Sequence, residues 1–164
     1  TYTAQNYGAN LINRIKVGVR RCCIIAGGIS VTLGAINICA GKYLVMAFVG
    51  ESAPEIVSLS QIMLTINGIC YVFLALLFVF RNTLQGLGKS FIPTASGVLE
   101  LVVRIFAAIV LTALWGFTGA CLANSMAWIS AMILLAIGYF VVTKHLFHLP
   151  KYAVPKTAFP EDKE

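Results

Sequence analysis

Glu100 and Arg104 stand alone as charged side chains in an apolar region that runs from Phe91 to Val142. A spacing of four puts both on one helix face, with the acid N-terminal, which is the better order for a pair. An isolated charge at the centre of a bilayer costs at least about 2.5–3.5 kcal/mol on insertion scales, and pairing offsets much of that. Two roles follow for the pair: a proton or cation relay through Glu100, or an ion pair that locks this helix to its neighbours. An adjacent guanidinium opposes proton cycling at a carboxylate, so the spacing favours the structural pair. Arg104 could instead bind an anionic group.

Three amides are the next candidates. Asn37, Asn67 and Asn124 each fall in a different apolar stretch, with Gln61, Thr112 and Ser125 nearby. In lipid an amide must face another helix or water. These residues either line a translocation path together with Tyr71 and Trp128, or simply bond one helix to the next. The five cysteines, Cys22, Cys23, Cys39, Cys70 and Cys121, lie in apolar runs and read as small buried residues. His145 and His148 stand three apart and no Asp or Glu follows them until Glu161, too few groups for a metal. No nucleotide loop, H-E-x-x-H helix, Ser/His/Asp set or paired intramembrane acids occur. The expectation is no catalytic residue, no metal and no enzyme.

The elements that must position these residues follow from composition. Of 164 residues, 59% are hydrophobic and 11% charged, against about 25% charged in soluble domains. The mean hydropathy is +0.89 and the pI about 9.2. Too few polar residues exist to clothe a globule or to frame a nucleic-acid face, so a soluble domain, a disordered chain and a disulfide framework are excluded. The bilayer is the expected solvent.

Charge-free runs predict four helices, over about 22–41, 56–80, 91–114 and 117–142. A tight turn at Trp115-Gly116-Phe117-Thr118-Gly119 separates the last two. Period-2 alternation is absent, and the fold class is all-α: a polytopic membrane bundle over 1–142 with a tail over 143–164. The segment Lys42–Val49 either extends the first helix or lies in the interface. Ten of the twelve basic residues fall on one side of this arrangement, leaving Lys42, with Glu51 and Glu55, opposite. By the positive-inside rule the basic side, with both chain ends, is cytoplasmic. The formal charge of +6 is thus mainly a topology signal. The start at Thr1 leads us to expect the C-terminal part of a longer protein.

Two segments are more specific than composition. One is Gln5-Asn6-Tyr7-Gly8-Ala9-Asn10, followed by Arg14, Lys16 and Gly18; the other is Arg81-Asn82-Thr83-Leu84-Gln85-Gly86-Leu87-Gly88-Lys89-Ser90, leading through Pro93 to Glu100 and Arg104. In order and spacing they resemble the C-terminal half of the multidrug and toxic compound extrusion (MATE) family. The resemblance implies twelve helices in two lobes, with Thr1–Asn10 ending helix eight and the four spans forming helices nine to twelve. It places Gln5, Asn6, Gly8 and Ala9 in one cytoplasmic turn, and Arg81, Gln85, Gly86 and Gly88 in another. Glycine after an amide lets a helix stop and turn there.

The same resemblance implies export of amphipathic or cationic small molecules, drugs among them, across the cell membrane, a bacterial inner or plasma membrane. Sodium or proton flow would drive it by alternating access, with no other cofactor. The partners implied are the small-molecule substrate, the bilayer and the N-terminal helices of the same transporter. Several family members carry an acid in the tenth helix for cation coupling, whereas 56–80 contains none. Coupling would then rest on the N-terminal lobe, on helix seven or on Glu100, and the part outside this chain is the expected place. Two alternatives are a lipid-linked oligosaccharide flippase of the same superfamily and a non-transporting four-helix structural protein. The flippase needs a cationic cavity, for which the apolar regions offer only Arg104.

Overall fold

The structure is a computed structural model that describes residues 1–50 and 54–148. Among them every regular element is helical: α1 (Tyr2–Gly8), α2 (Ile12–Val49), α3 (Pro54–Gly86) and α4 (Phe91–His148). Gly116 interrupts α4 with φ 57 and ψ −134, a backbone conformation essentially closed to residues with a Cβ. Its two arms, 91–115 and 117–148, fold back on each other. A Cβ at Gly119 would strike the Leu111 carbonyl, and one at Gly138 would come within 2.7 Å of Ile92. Both contacts pair residues equidistant from the bend, so the arms are antiparallel.

The helices outrun the apolar stretches that predict them. α2 begins well before Cys22 and absorbs Lys42–Val49; at about 1.5 Å per residue it is ~57 Å long, against a hydrocarbon core of ~30 Å. α3 continues past Phe80 to Gly86, and the second arm of α4 continues past Val142 to His148. The expected tail therefore starts as helix. Lys, Arg, Gln and Leu are good helix formers, so loss of hydrophobicity alone does not end a helix. The rest of the tail, 149–164, and Glu51 lie outside the described residues.

What ends α1 and α3 is left-handed backbone. Gly88 has φ 73, its N–H bonds to the Gln85 carbonyl at 2.9 Å, and Lys89 N–H reaches back to Leu84 at 2.9 Å. That is a Schellman motif with glycine at the left-handed position. α1 ends in the same way, but on Asn10 (φ 59), with Asn10 N–H on Tyr7 and Leu11 N–H on Asn6. Gly8, expected to make this turn, is instead helical; asparagine is the residue after glycine that best tolerates this conformation.

Packing follows small residues. α2 and α3 run antiparallel and touch backbone to backbone where Gly34 faces Gly68, so that a Cβ on Gly34 would strike the Gly68 carbonyl. Further along, Gln61 Nε2 donates to the Ile38 carbonyl at 2.9 Å. α3 also packs on the second arm of α4, where Leu77 and Leu84 close on Ala131 and Leu135. Large apolar side chains such as Ile24, Ile25, Phe106 and Ile109 point outward, as lipid-facing residues do. Three helices, the third being the bent α4, are long and apolar enough to cross a membrane. The molecule is a polytopic membrane helix bundle.

Candidate functional site

Glu100, near the start of α4, accepts two arginines. Arg104, one turn on, places a guanidinium nitrogen 2.6 Å from one carboxylate oxygen. Arg81, from α3, places one 3.0 Å from the other. Both oxygens are thus engaged in charge-assisted bonds, the strong class, and the group carries a net charge of +1. The carboxylate side chain is 17% exposed and that of Arg104 43%, so the group sits at the edge of the packed interior. Arg81 also lies 5.9 Å from the centre of the Phe78 ring, within cation–π reach. The Nε atoms of both arginines are buried and without a bond.

Deeper in the bundle, the amides sort differently. Asn37 Nδ2 donates to the Tyr71 hydroxyl at 3.3 Å, joining α2 to α3. The Tyr71 ring is tilted against Trp128 of α4, centres 6.5 Å apart. One turn before Tyr71, the buried Asn67 leaves its Oδ1 without a bond; so does buried Ser125 with its Oγ, one turn before Trp128. Because α3 and the second arm run side by side in the same direction, these two unpaired oxygens stand at one level of the bundle. Asn124, half-buried, neighbours Ser125. Asn37, Tyr71 and Trp128 therefore meet, with Asn67, Asn124 and Ser125 a turn away.

The two sequence-specific segments meet at the other end of the bundle. α1 lies across α2 and α3: a Cβ on Gly18 would run into the Tyr2 ring, and one on Gly86 would come within 2.9 Å of Thr3 Cβ. The Tyr2 hydroxyl donates to the Arg14 carbonyl at 3.1 Å, and Asn6, buried, bonds through Nδ2 to the Tyr2 carbonyl at 2.8 Å. Gly86 thus serves a close approach and not the turn itself. Gln5 and Ala9 border the exposed side of α1, and Gln85 is exposed.

Residues 1–110 match the family model MatE. That stretch takes in both turn segments, α2, α3 and the Arg81–Glu100–Arg104 group. The chain belongs to the MatE family. As a MatE member it is a membrane efflux transporter, and transporters of this family are not enzymes. No curated protein and no solved structure matches it. The matched region stops within the first arm of α4, so Ser125 and Trp128 extend the polar layer beyond it.

Sequence reasoning missed Arg81 as a partner of Glu100 in this MatE chain. A pair across helices leaves no periodic signal. Trp128 was read with Tyr71 as a residue that could line a path, and Ser125 only as a neighbour of the amides. No group of three or more His, Cys, Asp or Glu that could hold a metal occurs among the described residues.

Proposed function

We propose that this chain forms part of a cation-coupled antiporter that exports amphipathic or cationic small molecules by alternating access, together with further helices of the same transporter. The observation that carries the substrate class is the layer of Asn37, Tyr71 and Trp128, contributed by three helices. Aromatic faces attract organic cations, amides orient polar groups, and the surrounding interior is apolar, the mix expected of a small-molecule site.

The coupling ion, sodium or proton, acts through helices outside this chain on our reading. Both oxygens of Glu100 are already taken by arginine, which leaves a poor ligand for a further cation. The two arginines give the flippase alternative one point of support, a cationic group at the edge of the interior. Vesicles bearing the full transporter test the reading. Uptake of a fluorescent organic cation into inverted vesicles should require an ion gradient and stop when it is collapsed. Tyr71→Ala should raise KM for that cation more than it lowers kcat. Gradient-independent movement of a lipid-linked oligosaccharide, with no cation transport, would replace the proposal by the flippase.

A further inference from the structure

At the basic end of the bundle a groove of about 620 Å³ opens between the first turns of α2 and the last turns of α4. Its floor is apolar and firmly packed: Val19 and Tyr139 are buried in a core cluster with Ile15 and Leu87. The Tyr139 ring contacts Phe80 (centres 5.3 Å) and Phe140 (5.4 Å). Phe140 itself is 65% exposed and forms the outer wall. Three basic side chains rim one end: Lys16 and Arg20, one turn apart on α2, and Lys144, one turn beyond Phe140 on α4. Among the described residues no acid lines the groove. Glu100, the described acid in this half of the bundle, is held by Arg81 and Arg104.

We propose that this groove binds an anionic phospholipid, with the phosphate between Arg20 and Lys144 and an acyl chain along Phe140 and Cys23. Charge complementarity selects the sign of the ligand: each Lys or Arg close to an anionic lipid surface strengthens attraction about fivefold at ordinary ionic strength. The floor selects an amphiphile over a free anion, because inorganic phosphate gains the charges but nothing from Tyr139, Phe80 and Phe140. Membrane-facing basic pockets between helices are where headgroups of this kind dock, and the long stems of Arg20 and Lys144 let their charges reach the headgroup level while packing on apolar surface. The inference is independent of the proposed transport reading, since it concerns binding alone.

The test uses the full transporter in nanodiscs and a photoreactive phosphatidylglycerol whose label sits on the acyl chain. We expect labelling of the segment containing Phe140, competed by unlabelled phosphatidylglycerol and not by phosphatidylcholine or by inorganic phosphate. Arg20→Gln with Lys144→Gln should lower labelling at least about tenfold, the compounded effect of two cations. Arg20→Lys with Lys144→Arg should keep most of it, and Lys89→Gln, outside the groove, should change nothing. Equal competition by phosphatidylcholine would overturn the proposal, as would competition by inorganic phosphate or labelling that maps elsewhere. A photoreactive residue at Phe140 that joins another segment of the polypeptide would overturn it too, by showing that protein covers the groove.

Discussion

Arg81 on α3 and Glu100 on α4 are bonded at 3.0 Å across the turn that joins their helices, so one carboxylate ties α3 to the first arm of α4 while also bonding Arg104. The acid is the hub. Removing it leaves two arginines facing each other; removing either arginine leaves a pair.

Glu100→Gln should therefore destabilise more than Arg81→Gln or Arg104→Gln. The loss should fall between the about 0–1 kcal/mol of an exposed pair and the about 3–5 kcal/mol of a broken buried one, given the partial exposure here. Unfolding midpoints of the three variants in detergent check the order. A well-folded Glu100→Gln protein that had lost only ion coupling would show the carboxylate to be a transport group.

Gly34→Ala should loosen the α2–α3 contact, because its Cβ would meet the Gly68 carbonyl. Overpacking of this kind costs about 1–3 kcal/mol. Gly27→Ala in the same helix meets nothing within 4 Å and should be neutral or stabilising by up to ~1 kcal/mol, the propensity gain of alanine. Comparing the two by thermal unfolding separates contact from propensity.

Gly116→Ala should strain the bend in α4, at φ 57 and ψ −134, by about 1–3 kcal/mol. Paired cysteines at Ile92 and Gly138, which approach in the native hairpin, should cross-link less efficiently in that background.

Gly88→Ala should cost about 1–2 kcal/mol, the penalty of a left-handed residue with a Cβ, since φ is 73 there. Gly86→Ala should also be damaging, though for a different reason: its Cβ would press on Thr3 of α1. Protease access to α1 distinguishes them, rising for Gly86→Ala and unchanged for Gly88→Ala.

Hydropathy located the helices of this chain and missed their ends, because hydropathy reports the solvent and helix ends obey backbone geometry. Lys42 and Arg14 lie within α2 for that reason. Of the two glycine-bearing turns, the Gly88 one was legible from glycine itself, while the left-handed residue of the other proved to be Asn10. The spacing of Glu100 and Arg104 was readable because both lie on one helix. Arg81 was not, since contacts between helices depend on register, which no local pattern encodes. The same holds for the meeting of Asn37 with Tyr71 and of Tyr71 with Trp128.

The bend at Gly116 has a consequence for assembly order. α2 with α3, and the first arm of α4 with the second, are neighbours in sequence that pair antiparallel, and closing so short a loop costs little entropy. Each can zip up as a hairpin soon after it enters the bilayer. The seam between α3 and the second arm runs parallel, and parallel neighbours cannot be joined by a short turn; the first arm intervenes between them. Contacts of high sequence separation form late, so Tyr71 should find Trp128 only once both hairpins stand. The aromatic pair then closes with the seam between the two hairpins, as does Tyr139 against Ile15 and Val19, a contact of still greater sequence separation.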